Sequence, residues 1–315
     1  MIEVNIQRQA IRVGLRFAVS FQRTLRIPDD GQIYPLPPGL GIFPIFTVAE
    51  AAERLPPEWS KSDAFIPLYQ REALWLGFHG ARWKPNAVQV RIGGVNALTG
   101  ETGDQPLRSE PQNYLVCPDQ PWLDGIVAGT GSVRQFVAMP LQLGYTVEAA
   151  VTGEEHRGAI ELTVYEPKPG IFPDEPPPEP KGPPRAAAGL QMGIGAGGTM
   201  KQKIYHDRHG IEVWDPDNFG RVTVHLLNSA QFREVTGFEP PTTPVDAAAY
   251  ADAGMPWFDL YDEERASLAA TSTLAGVKTI AQRDKERGAS PAESEPIDAE
   301  HLHVKKLRNE PPARQ

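Results

Sequence analysis

The sequence predicts a mainly β protein, an antiparallel sandwich or distorted barrel, followed by an α+β C-terminal part in which strands precede short helices. Three observations carry this. Apolar residues alternate with polar or small ones in several short runs, the period of a half-buried strand. Glycine, proline, asparagine and aspartate separate those runs, as turn residues do. Residues 167–184 hold nine prolines in eighteen positions, a composition that reads as a semi-rigid spacer because proline removes ladder donors.

At 315 residues, 40% of them hydrophobic, the chain can build one large or two ordinary domains. The expected division is a β-rich domain over 1–166, a Pro/Gly-rich linker over 167–198, a small α+β domain over 199–281 and a disordered tail over 282–315. The 40 acidic and 31 basic residues give a net charge of −9, which argues against nucleic acid as a partner, since phosphate binding needs a basic face. Cys117 is the single cysteine, so a secreted disulfide scaffold is excluded. The first ten residues lack the apolar core of a signal peptide, and no window approaches the roughly 18 apolar residues of a membrane span. A soluble, cytoplasmic protein is expected.

Taken in order, Ile11, Val13, Leu15, Phe17, Val19 and Phe21 alternate with Arg12, Gly14, Arg16, Ala18 and Ser20, predicting one long strand with an apolar and a wet face. Residues 27–31 form a turn, and the prolines of 34–41 impose an irregular arm. Thr47 with Glu50 is a capping-box start to a short helix over 47–55, stopped by Pro56 and Pro57. Alternation returns over 73–78 and 87–92. Residues 113–117 and 133–139 are strand-like, interrupted by a polar, glycine-containing loop over 118–132. Two further runs, 145–151 and 159–165, read as an antiparallel hairpin across the turn 152–158, with Glu148 and Glu161 on its solvated face.

Beyond the spacer, Gly193-Ile-Gly-Ala-Gly-Gly198 matches G-x-G-x-x-G. Proline precedes it and a strand-like run follows, whereas the dinucleotide fingerprint needs a strand before and a helix after, so a flexible hinge is expected. Strands are then predicted over 200–205, 211–214 and 221–227, and helices over 231–236, 245–253 and 262–271. From Gln282 onward charged, small and proline residues predominate, and Lys305, Lys306 and Arg308 read as solvated charge.

The stretch 118–135 is the candidate ligand site. Trp122, Asp124, Gly129, Gly131, Arg134 and Gln135 bring together an aromatic face, a carboxylate, glycine-turn backbone donors and a guanidinium, parts that can receive an anion or a planar ligand. The opposing reading plugs the sheet with Trp122 and pairs Arg134 with Asp124. Trp257, Phe258 and Tyr261 form a candidate docking segment, for the chain's own core or for a partner. No metal site is predicted: His206, His209 and Asp215 offer ligand atoms without a zinc spacing. Cys117, with His79 or His156 as base, and Ser132 lack the context of a nucleophile.

The expected function is a non-enzymatic binding or interaction protein presenting the 118–135 loop on a β scaffold to a protein or small-molecule ligand, with no cofactor. Two alternatives stand beside it. One is a metal-assisted hydrolase with its site at 206–225. The other is a carbohydrate-binding module, suggested by six tryptophans that include Trp75 and Trp122.

Overall fold

The computed structural model describes residues 2–175, 191–261, 265–289, 297 and 302–308. Strands dominate and pair mostly antiparallel. The first third supplies β1 (Val4–Ile6), β2 (Ile11–Val13), β3 (Phe17–Thr24), β4 (Ile33–Tyr34), β5 (Gly39–Ile42), β6 (Phe46–Thr47), β7 (Ala64–Leu68), β8 (Ala73–His79), β9 (Asn86–Ile92) and β10 (Val95–Asn96). The middle adds β11 (Leu115–Cys117), β12 (Trp122–Leu123), β13 (Gly125–Gly129), β14 (Ser132–Met139), α1 (Val147–Thr152) and β15 (Ile160–Pro167). The last part holds β16 (Gln191–Lys201), β17 (Trp214–Asn228), α2 (Ser229–Thr236), α3 (Ala247–Asp252), β18 (Trp257–Tyr261), α4 (Ser272–Ala275), α5 (Ile280–Arg287) and β19 (Val304–Arg308).

One ladder runs β1-β2-β3-β8, passes from β8 to β12 and β14, and ends β14-β16-β4. The other runs β6-β7-β17-β15-β9, with β10 and β11 on the opposite edge of β9. The two meet where the first residues of β16 pair with β17, so hydrogen bonding joins seventeen strands that do not close into a barrel. Val19, Phe21, Leu74 and Leu76 of the first ladder share one buried cluster with Val88, Val90, Leu162, Val164, Val222 and Val224 of the second. Each such side chain contributes about 1.5–3 kcal/mol by leaving water. Among the described residues no helix is long and apolar enough to cross a membrane.

The long strand expected over 11–21 is a hairpin, β2 and β3, with Val13 facing Phe17. Its turn is Gly14-Leu15-Arg16, with Gly14 at φ 63. Three turn residues are an odd number, so Val13 and Phe17 both point inward and the alternation runs through the turn unbroken. Leu15 consequently leaves the core and stands 91% exposed.

Of the run at 145–151, residues from Val147 onward are helical, and Thr146 is the extended cap. The Thr146 side chain accepts from the Ala149 N–H, and Gly153 closes the helix in the left-handed region. The expected hairpin is therefore absent, and β15 pairs with β9 and β17. Glu148 is buried and accepts the backbone N–H groups of His156, Arg157 and Gly158 at 3.0–3.2 Å. Glu161 is also buried, 3.0 Å from Arg91.

Gly193–Gly198 is the interior of β16, not a hinge. A Cβ on Gly198 would lie 2.2 Å from the Pro28 carbonyl oxygen, and one on Gly197 would lie 2.6 Å from a Val137 methyl. Glycine is present because backbones and core pass closely. Within 199–281, β17 extends the ladder between β15 and β7, while β18 pairs in parallel with β19 as a separate two-stranded sheet. Residues 176–190 of the expected linker lie outside the described residues.

The capping box at Thr47 and Glu50 forms, but as two 3-10 turns (Val48–Glu50 and Ala52–Arg54) in place of an α-helix. Residues 211–213 are a 3-10 turn entering β17, and β16 ends at Lys201, so the run 202–205 is not strand. The helices expected near 231–236 and 245–253 are α2 and α3, each capped by a side chain, Asn228 or Asp246. Of the helix expected over 262–271, residues 262–264 lie outside the described residues and 265–271 are not helical. The tail expected from Gln282 opens with most of α5, whose Ile280 and Asp284 are buried. Residues 290–296, 298–301 and 309–315 of that tail lie outside the described residues.

Candidate functional site

The stretch 118–132 is β12 and β13, and β13 forms a tight hairpin with β14 through Gly131 at φ 75. A Cβ on Gly125 would lie 1.9 Å from the Arg134 carbonyl oxygen. Trp122 is half-buried opposite Gly77. Asp124 is 4% exposed. Burial pushes its carboxyl up to about 7 against the lowering effect of a hydrogen bond from Trp122, and Oδ2 has no partner. Gly129 sits at a register shift. The Gly131 N–H donates to Ser267 Oγ at 3.2 Å.

Arg134 does not pair with Asp124. Its guanidinium donates to the carbonyls of Leu274, at 3.2 Å, and Val277. Burial lowers its pKa, with the charge of Asp29 acting in the opposite sense. Gln135 is fully buried, giving its amide N–H to Leu25 and accepting from Ile27. The structure thus joins Trp122 to Asp124, but turns Arg134 and Gly131 toward the chain's own 267–277 segment and Gln135 toward residues 25–27.

Trp257 is fully buried beside Tyr34 and Tyr250, ring centroids 6.2 and 6.4 Å apart. Phe258 exchanges backbone hydrogen bonds with Leu36. Tyr261 pairs with Arg308 through its backbone, and its side chain lies outside the described residues. Trp257 thus packs into the protein's own core, and Phe258 lies partly buried against it.

The start of the 206–225 tract is arranged around Asp207, which accepts from Tyr114 Oη at 2.6 Å and Trp214 Nε1 at 2.8 Å, whereas His225 lies in β17, 3.0 Å from Asp63 and stacked on Trp59. His206 is exposed, His209 lies edge-on to Phe172 and Trp214, and Asp215 accepts from the Asp217 N–H. Among the described residues no group of three or more His, Cys, Asp or Glu could hold a metal ion. Cys117 is fully buried, and burial pushes its thiol well up, away from nucleophilic use.

An open cavity of about 520 Å³ lies elsewhere, between the β2–β3 hairpin and the end of β8. Alternation along β2 buries Ile11 and Val13 and turns Arg12 outward. In β3, Ala18 faces His79 in register. Gly80 then passes Pro118, where a Cβ would meet the proline ring at 3.3 Å. Trp83 lies 5.8 Å from the Arg16 guanidinium. Asp174 completes the wall, held by Lys84 at 2.5 Å.

The charges on this wall are unequally satisfied. Arg16 is ion-paired with Glu166, while its Nε is buried without an acceptor. Burial lowers its pKa, and the charge of Asp174 works against that. The Arg12 and His79 side chains have no hydrogen-bond or ion-pair partner among the described residues, although both backbones lie in the ladder. With Arg16 matched by Glu166 and Lys84 by Asp174, the charge of Arg12 is left over. Free guanidinium donors on a wall that also carries an indole suit an anionic group attached to an apolar body. The sequence pattern assigned Arg12 and Arg16 to a plain wet face and did not single out Trp83 or Asp174.

Compared with known proteins, the chain matches no family model, no curated protein and no solved structure.

Proposed function

We propose that this chain is a binding protein that takes up a small organic anion in the cavity between the β2–β3 hairpin and β8. The observation that carries the reading is the unmatched Arg12 guanidinium on a concave wall shared with Arg16, His79 and Trp83. The cavity volume falls in the range of small-molecule sites, about 300–1,000 Å³. A ligand of this kind, and not nucleic acid, fits a chain of net charge −9 with a local excess of positive charge at this wall. A cytoplasmic setting is part of the proposal, in keeping with a lone buried thiol.

Titration calorimetry of the full chain with phenyl phosphate, benzoate and the uncharged analogue benzyl alcohol tests it. The anions bind, benzyl alcohol binds at least tenfold more weakly, and Arg12→Gln weakens the anions by about tenfold, the loss of one charge-assisted contact. Equal binding of the alcohol, or anion binding indifferent to Arg12→Gln, would sink the reading.

A further inference from the structure

The cavity wall joins two chemistries, and the anion site accounts for one of them. Beside Arg12, Arg16 and His79 stand Ala10, Ala18 and Ala81, small apolar side chains that leave the space open. Leu15 stands on the same wall at 91% exposure. It is the most exposed large apolar residue among those described, at the tip of a three-residue turn, where polar or glycine residues are the usual choice. The hairpin makes no use of its side chain, since Val13 and Phe17 already close the core beneath the turn.

From this juxtaposition we infer that the ligand is an anionic amphiphile of fatty-carboxylate type, its head held by Arg12 and its alkyl chain laid along the alanines and Leu15. Charge complementarity fixes the head and the apolar wall fixes the tail. The inference rests on the anion site proposed above and adds the identity of the apolar part. A bare phosphate or acetate ion would leave most of a cavity of about 520 Å³ unfilled, and Leu15 would remain in water.

The test is calorimetry of the full chain with butanoate, hexanoate and octanoate below their aggregation limits, with octanol as the uncharged control. Affinity rises roughly fourfold for each methylene removed from water. Leu15→Ser flattens that gradient, lowering octanoate affinity most and butanoate affinity least, while the melting temperature is unchanged, because this side chain supports no fold contact. Arg12→Gln weakens all three acids by a similar factor. Binding of short and long acids with equal affinity, or a gradient untouched by Leu15→Ser, overturns the amphiphile and leaves the anion site standing. Octanol binding as tightly as octanoate overturns the anionic head. No binding of any acid overturns both readings.

Discussion

Arg71 grips Asp284 across 213 residues of sequence, each guanidinium Nη 2.7 Å from a carboxylate oxygen. Tyr145 Oη donates to the same carboxylate at 2.7 Å. Burial would raise the Asp284 pKa, but donation from Arg71 and Tyr145 together with nearby positive charge holds it below the ordinary value. With the Ala281 N–H on Asp29 and Ile280 buried, this clasp seats α5 against the sheet.

Asp284→Ala leaves Arg71 partly buried without its carboxylate, so a loss of about 3–5 kcal/mol is expected, the range for breaking one side of a buried pair. Urea unfolding reports the loss. Hydrogen exchange locates it, with protection falling across 280–287 before the sheet opens. Unchanged exchange in α5 would show that the clasp does not hold it.

Asp124 makes stability depend on pH in an unusual sense. The folded state keeps this proton to about pH 7, whereas the unfolded chain releases it near the ordinary carboxyl value of about 4. Between those limits the native state binds more protons, so this group's contribution falls as pH rises from about 4 to about 7 and then levels, by on the order of 4 kcal/mol. Asp124→Asn removes that slope. Chemical denaturation at pH 4.5 and 7.5, comparing the variant with the parent, measures it as a difference that grows in favour of Asn at the higher pH.

Gly125→Ala places a methyl where the Arg134 carbonyl already sits, 1.9 Å away. The β13–β14 hairpin must shift as a unit, at a cost of about 3 kcal/mol or more. Gly153→Ala is the comparison: its Cβ meets nothing within 4 Å, although φ is 80, so about 1 kcal/mol is expected from the backbone alone. Melting temperatures of the two variants should differ in that order.

Arg134→Met keeps the packing of the side-chain stem and removes donors to two carbonyls of the 274–277 segment. A loss of about 1.5–3 kcal/mol is expected, as for hydrogen bonds from a charged group. Hydrogen exchange should rise in 267–277 while β14 stays protected. A uniform rise throughout the sheet would contradict a local anchoring role.

The fold class was legible because alternation is a property of single strands: 73–78, 87–92 and 221–227 fall within β8, β9 and β17. Where a pattern is silent, the reading missed. An odd turn at 14–16 preserves parity and hides itself. Six residues at 147–152 are too few to separate a helix from a strand until the Thr146 cap is seen. The glycines of 193–198 look permissive in sequence but mark close approach in space. Arg134 shows a different limit, since its composition-based role as a donor is real while its acceptors are carbonyls 140 and 143 positions away. The cavity was invisible because a turn, the end of β8 and Asp174 meet only after folding.

The interleaving of β16 between β14 and β4, and of β17 between β15 and β7, sets an order of events during synthesis. When the ribosome has delivered residue 190, the inserts that separate these partners do not yet exist as strands, and β14 and β15 each present an open row of backbone donors and acceptors. Such edges invite pairing with other chains. Nascent polypeptides stalled between residues 167 and 228 are therefore the species most exposed to aggregation, and chaperone demand should fall sharply once Asn228 clears the exit tunnel.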